Sequence, residues 1–329
     1  MSARLEPGVV TLLTCAALVA PGSRSGPRRA PTPERWLLVS DEPGDRLVML
    51  NVATGQVVAT IPVGGRPRGM AASADGRRVF VALGKDDAVA VVDVASRHVV
   101  RQLAVGKDPE QVAVSANGAT VYVSNEEIAM ATAVDVATKH TLFSTAVGKE
   151  PEGIALLPHG HKLYVTGESD SSVTVLDALR GRRLTKFGVG ARPRFIAFSR
   201  DGARAFVSAE NGGTVSYVDA RADTVMATVV IGDRTTKPTG LALSPDEKTL
   251  YLANGRTNDV AVIDVASRAV QATIPVGERP WGIALSADGR TLYTADGRSG
   301  SVSVIDVGTR RVTAAYAVGG RPYSVLLVP

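Results

Sequence analysis

Short runs of apolar or alternating residues recur along the chain and are separated by polar turn sequences. After Pro280, four such runs cover Gly282–Ser286, Thr291–Ala295, Ser301–Asp306 and Arg311–Val318. Their length and their content of β-branched and aromatic residues predict β-strands. Most segments have an Asp-Gly or Asn-Gly pair between the first two runs, and such pairs close tight hairpins. Because no run has the period of a crossover helix, each segment predicts a four-stranded antiparallel meander.

The meander repeats with a fixed phase along the chain. A Val/Ile-Gly phrase followed by a short polar segment and a proline marks each unit, at Pro67, Pro109, Pro151, Pro193, Pro238, Pro280 and Pro322; the segment has two residues except before Pro238, where it is longer. The successive spacings are 42, 42, 42, 45, 42 and 42 residues. A four-stranded unit of this length has the size of one blade of a β-propeller.

The two ends of the array predict how the ring closes. Residues 36–65 contain only the second, third and fourth strands of a unit, and residues 322–329 contain only a first strand. Pairing them in one blade would remove two exposed sheet edges. The sequence therefore predicts an all-β fold over residues 36–329. It is a seven-bladed β-propeller of four-stranded antiparallel blades, closed by N- and C-terminal strands that share one blade.

The first 35 residues predict export. Residues 1–20 have the pattern of a signal peptide, because Arg4 precedes an apolar run, Val9–Ala20, that is too short to span a bilayer. Residues 21–35 form a linker rich in proline and arginine. We expect a periplasmic or secreted, monomeric protein without a membrane span. Its only cysteine, Cys15, lies in the signal segment, so the mature chain would have no thiol chemistry.

Charge and motif content limit the possible partners. The net charge is +5, but the first 35 residues contain five Arg and two Glu, which leaves about +2 (5 minus 3) for the propeller. This charge is too low for a general nucleic-acid surface, so no nucleic-acid partner is expected. His159 and His161 have no apparent third ligand, so we expect no metal site. Motifs for haem attachment and phosphate binding are absent from the sequence, and no cofactor is expected.

Charged and aromatic residues cluster on one predicted face. In a propeller, the loops from strand four to strand one and from strand two to strand three emerge on the same side. Beside the repeated prolines lie Arg66, Arg68, Glu110, Glu152, Arg192, Arg194, Arg279, Trp281, Arg321 and Tyr323, and the loops between strands two and three add Glu126, Glu168 and Glu210. Arginines in this arrangement could bind a protein partner or a small anionic ligand. Alternatively, the opposite charges pair between blades and stabilise this face.

Three phrases at the predicted second strands resemble a known repeat. Tyr122–Asn125, Tyr164–Gly167 and Tyr251–Asn254 read YVSN, YVTG and YLAN, which resemble the motif that names the YVTN β-propeller family. The resemblance covers residues 36–329. The phrases KDPEQVAV and KEPEGIAL are also similar to propellers associated with alcohol catabolism that depends on pyrroloquinoline quinone. This resemblance implies a binding or accessory protein and supplies no catalytic motif.

These observations lead to one main functional expectation and two alternatives. The main expectation is an exported, non-catalytic binding or scaffold propeller that is accessory to quinoprotein alcohol oxidation. One alternative is a lactonase-like hydrolase, which would require Glu152, Glu168, Arg194 and Glu210 to converge and a carboxyl pKa to be shifted. The other alternative is a propeller that binds a redox cofactor non-covalently.

Overall fold

The computed structural model describes residues 35–158 and 160–329. The predicted signal peptide, the predicted linker apart from Arg35, and His159 lie outside the described residues. Within the described part of the chain there is no helix with the length and apolar character needed to cross a membrane.

The described residues form strands of six or seven residues. Three strands precede the first complete blade: β1 (Trp36–Asp41), β2 (Arg46–Asn51) and β3 (Val57–Pro62). Blade 1 contains β4 (Pro67–Ala72), β5 (Arg78–Leu83), β6 (Ala88–Asp93) and β7 (His98–Ala104). Blade 2 contains β8 (Pro109–Val114), β9 (Thr120–Asn125), β10 (Met130–Asp135) and β11 (Thr141–Ala146). Blade 3 contains β12 (Pro151–Leu156), β13 (Lys162–Gly167), β14 (Ser172–Asp177) and β15 (Arg183–Gly188).

The remaining blades follow the same plan. Blade 4 contains β16 (Pro193–Phe198), β17 (Arg204–Ala209), β18 (Thr214–Asp219) and β19 (Thr224–Val230). Blade 5 contains β20 (Pro238–Leu243), β21 (Thr249–Asn254), β22 (Asp259–Asp264) and β23 (Val270–Pro275). Blade 6 contains β24 (Pro280–Leu285), β25 (Thr291–Asp296), β26 (Ser301–Asp306) and β27 (Arg311–Ala317). The last strand is β28 (Pro322–Val328), which forms blade 7 with β1–β3.

The ring closes as the sequence predicts. Strand order in blade 7 is β28-β1-β2-β3, and β1 pairs antiparallel with β28 from Trp36 opposite Val328 to Asp41 opposite Pro322. The first strands of neighbouring blades contact one another around the whole ring, including β28 with β4. The all-β, seven-bladed architecture is therefore confirmed. Apolar side chains between adjacent blades, such as Leu38, Met49 and Val81 between blades 7 and 1, form the core.

Each innermost strand begins with a proline followed by a β-bulge. In blade 1 the pairing register shifts between Pro67 and Met70, and equivalent shifts occur in the other blades. A bulge bends the strand and turns its side chains away from the regular alternation. The residue before the proline has a left-handed backbone in six units, with φ of 57° at Arg66 and at Arg192. The two residues that flank each proline thus leave the sheet at the end where the charged face was predicted.

Candidate functional site

The residues after six of the seven repeated prolines bring their side chains together at one end of the ring, which we call the mouth. The innermost strands supply Arg68 from β4, Glu110 from β8, Glu152 from β12, Arg194 from β16, Trp281 from β24 and Tyr323 from β28. Glu110, Glu152, Arg194 and Tyr323 are buried. The loops between second and third strands place Glu42, Glu126, Glu168 and Glu210 beside them, because all these loops emerge on the same side.

The first of two ion-pair groups at the mouth contains Arg66 and Arg68. The Arg66 guanidinium donates to Glu110 Oε1 at 2.7 Å and to Glu42 Oε1 at 3.3 Å, and it also pairs with Asp108. Arg68 Nη1 donates to Glu42 Oε1 at 2.9 Å, and its Nη2 contacts Glu110 Oε2. Carboxylate oxygens of Asp108, Glu110 and Glu126 also lie within 4.8 Å of one another. The Arg66 guanidinium supplies the positive charge for this acidic cluster.

The second group contains Arg192 and Arg194. Arg194 Nε donates to Glu210 Oε2 at 2.7 Å, its Nη1 lies 2.7 Å from Glu168 Oε2, and it also pairs with Glu152. Arg192 contacts Glu168 and has its Nε 3.4 Å from Glu210 Oε2. The three glutamates that a lactonase-like site would require therefore converge on the guanidinium of the fourth residue, Arg194.

The two groups meet across the channel axis. Arg68 Nη2 lies 3.9 Å from Glu152 Oε1, and the Arg68 guanidinium is 4.1 Å from the centre of the Tyr323 ring. The Arg194 guanidinium is 5.4 Å from the Trp281 ring, which lies 5.5 Å from the Tyr323 ring. These contacts join blades 1, 3, 4, 6 and 7 in one buried layer. Below this layer, the channel has a separate, mostly apolar cavity of about 430 Å³ that reaches Leu327.

Carboxylates outnumber guanidinium groups in this network. The acids are Glu42, Asp108, Glu110, Glu126, Glu152, Glu168 and Glu210, and the bases are Arg66, Arg68, Arg192, Arg194 and Arg279. Burial raises the pKa of Glu110 well above its usual range, and the neighbouring charge of Glu152 adds to that effect. The mouth therefore holds a proton on a carboxyl group at pH values where exposed glutamates are ionised.

Glu168 and Glu210 contact the same arginines but titrate in opposite directions. Burial raises the pKa of Glu168 to about 7, and the Glu152 charge adds to this shift against the opposing effect of Arg194. Burial also disfavours the charged form of Glu210, but the Arg194 guanidinium holds the pKa of Glu210 below its usual range. Two carboxyl groups whose environments separate their pKa values are the usual arrangement for acid–base chemistry. Glu168 is the one with access to solvent, because its side chain is 10% exposed and that of Glu210 only 3%.

Buried hydroxyl groups fix the backbone that carries the mouth residues. The bulge leaves the backbone N–H of Gln111 without a partner in the sheet, and this N–H donates to Ser124 Oγ at 3.2 Å. The Ser124 hydroxyl in turn donates to the Glu152 carbonyl of the next blade. Ser40 and Ser208 donate equivalently to the carbonyls of Arg68 and Thr239. These bonds link the second strand of one blade to the mouth residue of the next.

We expect Ser124→Ala to lower the free energy of unfolding by about 1–3 kcal/mol, because it leaves a buried N–H and a buried C=O without their partner. Urea denaturation monitored by fluorescence would measure the loss. Ser301→Ala is the matched control, since no hydrogen bond of the Ser301 hydroxyl occurs within the described residues. Equal stability of the two variants would contradict this role of Ser124.

A cleft of about 350 Å³ opens beside the buried layer, between blades 6 and 7. Its lining includes Glu42, Arg279, Trp281, Arg298 and Arg321. Arg279 also reaches Glu210 at 3.2 Å, so the cleft adjoins the second ion-pair group.

All the residues predicted for the site lie at the mouth. Arg321 is separate from the ion-pair groups and lines the cleft, whereas Glu126 lies at the edge of the first group, 4.0 Å from Arg66. Glu42 and Asp108 belong to the network but were not among the predicted site residues, and Arg256 and Arg298 were missed altogether. A signal for the last two was present, because each follows a glycine, Gly255 or Gly297, in the position where other blades have glutamate.

Two family models match parts of the chain. The model described as "Lactonase, 7-bladed beta-propeller" matches residues 182–325, and the model described as "YNCE-like beta-propeller" matches residues 16–116. Both families are β-propellers. Each match covers less than half of the chain. They support the seven-bladed propeller, and neither is the quinone-associated group. No relative was found among curated proteins.

Solved structures with the same fold have names that refer to different activities. A putative 6-phosphogluconolactonase from Bacteroides fragilis NCTC 9343 is 19% identical, with a TM-score of 0.77 over 90% of this chain and 98% of that chain. The corresponding putative enzyme from Bacteroides uniformis ATCC 8492 is 19% identical, with a TM-score of 0.76 over 90% and 100%. Kuenenia stuttgartiensis hydrazine synthase is 22% identical, with a TM-score of 0.75 over 83% and 92%. At these identities the likeness establishes the fold.

The main functional expectation from the sequence is wrong. A non-catalytic propeller accessory to quinoprotein alcohol oxidation finds no support in these matches, whereas the lactonase model covers residues 182–325 and two similar structures are putative lactonases. These findings favour the hydrolase alternative. The expectation failed because it rested on short sequence phrases such as KDPEQVAV. Such a phrase forms the turn and the bulge that every blade contains, so it indicates the fold and not a function.

Proposed function

We propose that the protein is a lactonase-like hydrolase that opens a lactone ring at the mouth of the propeller. The observation that carries the proposal is the convergence of Glu152, Glu168 and Glu210 on Arg194, with the pKa of Glu168 raised to about 7. A general base with a pKa near the working pH combines a useful ionised fraction with sufficient basicity.

Glu168 is the proposed catalytic acid and base. Its carboxylate takes a proton from water while the water oxygen bonds to the lactone carbonyl carbon, and the negative charge moves to the carbonyl oxygen. The ring C–O bond then breaks as the carbonyl re-forms, and the leaving ring oxygen takes the proton from Glu168. The product is the open hydroxy acid, which releases its carboxyl proton to solvent.

Arg192 is the proposed group that stabilises the oxyanion. Its side chain is 38% exposed and contacts Glu168, so its guanidinium faces the position of the reacting carbonyl. Within residues 35–158 and 160–329, this guanidinium makes ion contacts but no aligned hydrogen bond. It therefore retains N–H groups for charge that develops in the transition state. Arg194, which is buried and bonded to Glu210, holds the carboxylates in place.

The adjoining cleft suggests that the substrate is anionic. Arg279 and Arg321 would bind a phosphate or carboxylate substituent, and Trp281 offers an apolar surface for the sugar ring. The phosphorylated lactone named for the two Bacteroides proteins fits this description, and so does any sugar lactone with a comparable charge.

We expect the protein to hydrolyse 6-phosphogluconolactone faster than the uncharged gluconolactone, with a rate that follows ionisation of Glu168. Below a pKa of about 7 the base is protonated, so kcat/KM should rise about tenfold per pH unit and then level off above it. An assay that follows the release of acid with a pH-indicator dye, corrected for spontaneous hydrolysis of the lactone, would measure both effects. Folded protein that accelerates neither lactone would overturn the proposal.

A further inference from the structure

A second cleft continues the one that adjoins the proposed active site. It has a volume of about 350 Å³ and is lined by Lys237, Arg256, Glu278, Arg279 and Arg298, with Gly255 and Asn258. Arg279 and Arg298 line both clefts, so the two clefts adjoin each other at these two side chains. We call the combined feature over blades 5–7 the basic groove.

Most cations of the basic groove have no carboxylate partner. Within the described residues, the exposed side chains of Arg256, Arg298 and Arg321 make no ion pair within 4.0 Å and no hydrogen bond, and Arg256 interacts with the exposed carboxylate of Asp233 only at longer range. In contrast, Arg66, Arg68, Arg192 and Arg194 each contact at least two carboxylates. The acids that line the groove are Glu278 and Glu42, and Glu42 is already bound to Arg66 and Arg68. The groove is therefore a site of uncompensated positive charge.

Two glycines leave the groove open. The position after each second strand holds glutamate in blades 7, 2, 3 and 4 and glycine in blades 1, 5 and 6, as Glu42, Glu126, Glu168, Glu210, Gly84, Gly255 and Gly297. A Cβ atom on Gly255 would lie 3.5 Å from Arg279 Nη1 and 3.4 Å from the Pro280 carbonyl, in ordinary contact. A glutamate at this position would bring its carboxylate to Arg279. Its absence leaves Nη1 of Arg279 available to a ligand, while Nη2 donates to Glu210.

We infer that the basic groove binds an extended anion with at least two phosphate or carboxylate groups, one in each cleft. Arginine binds both groups through paired N–H donors, and three of the guanidinium groups make no ion pair within 4.0 Å and no hydrogen bond within the described chain. One charged group would contact Arg298 and Arg321 in the first cleft, and the other would contact Arg256 in the second. This inference rests on the proposed function for the natural ligand, a lactone with a charged extension, but the binding itself requires no hydrolysis.

Isothermal titration of the full chain with orthophosphate, tripolyphosphate and triglutamate at low ionic strength tests the inference. We expect one extended anion to bind at least ~10-fold more tightly than orthophosphate, and the tighter of the two identifies phosphate or carboxylate as the preferred group. Arg256→Ala should weaken the extended anion about tenfold and should leave orthophosphate binding nearly unchanged.

Two further variants make the result decisive. Arg290→Ala removes the same charge from the opposite face and should not change binding, which separates contact from long-range electrostatics. Gly255→Glu should abolish tripolyphosphate and triglutamate binding while the protein stays folded, because glutamate occupies this position in four other blades. Equal affinities for all three anions, or equal effects of the Arg256 and Arg290 variants, would overturn the inference. Intact anion binding without lactone hydrolysis would overturn only the proposed function.

Discussion

Replacing Glu168 by glutamine is expected to lower kcat for lactone hydrolysis about 100- to 1,000-fold, because the amide can neither accept nor return the proton. Glutamine has the same shape as glutamate, and the buried layer of Arg68, Glu152 and Arg194 stays in place. The free energy of unfolding should therefore change little. The rise of kcat/KM with pH should also disappear in this variant, since burial assigns the pKa of about 7 to Glu168. Steady-state kinetics from pH 5 to 9 would measure both changes.

Glu127→Gln is the matched control for this experiment. Glu127 lies on the same face in the loop after β9, is exposed, and belongs to neither ion-pair group. Its variant should keep the wild-type rate and pH profile. If Glu168→Gln retained a rate within threefold of wild type, Glu168 would not be the acid–base residue.

Arg194→Met is expected to lower the free energy of unfolding by about 3–5 kcal/mol, because it leaves buried carboxylates without their cation. Arg194 is only 4% exposed and contacts Glu152, Glu168 and Glu210, which come from two different blades. Methionine retains most of the apolar stem of arginine, so the decrease in the free energy of unfolding would measure the effect of removing the charge. Urea denaturation at pH 7.5 would measure it.

Arg192→Met is the control variant, because it removes a partly exposed arginine from the mouth and leaves the buried Arg194 in place. The Arg192 side chain is partly exposed, so its ion pairs should contribute about 0–1 kcal/mol. The cost of the Arg194 variant should also shrink when the pH is lowered, because protonation neutralises the carboxylates that Arg194 stabilises. Equal losses for the two variants at every pH would show that the buried network does not stabilise the ring.

The fold could be predicted because short local sequence patterns specify each strand and turn, and these patterns repeat along the chain. The turn pair at Asp288-Gly289, the bulge after Pro280 and the alternating strand from Ser301 each specify their own backbone. The proline and its bulge recur in the six other units, and an Asp-Gly or Asn-Gly pair recurs in three of them. Even the shared blade follows from counting strands, and Trp36 begins β1 as expected. A prediction that depends on neighbours within one unit needs no knowledge of the rest of the molecule.

The site could be predicted only as a set of residues on one face. In sequence, Arg192 and Arg321 have equivalent positions directly before a repeated proline, yet Arg192 contacts Glu168 and Glu210 and Arg321 lines a cleft. This difference depends on side-chain contacts within and between neighbouring blades, whose partners are separated in the chain. Burial sets the pKa of Glu168 for the same reason, so neither its role nor the open groove beside Gly255 was visible in the periodic pattern.

The buried layer that separates the mouth from the lower cavity has a kinetic consequence. Arg68 contacts both Glu152 and Tyr323 within this layer, and we expect these side chains to close the passage from Glu168 to the far side of the ring. Product must leave by the entrance that the next substrate uses. The open hydroxy acid, with one more negative charge than the lactone, would then occupy the same arginines and act as a competitive inhibitor during turnover.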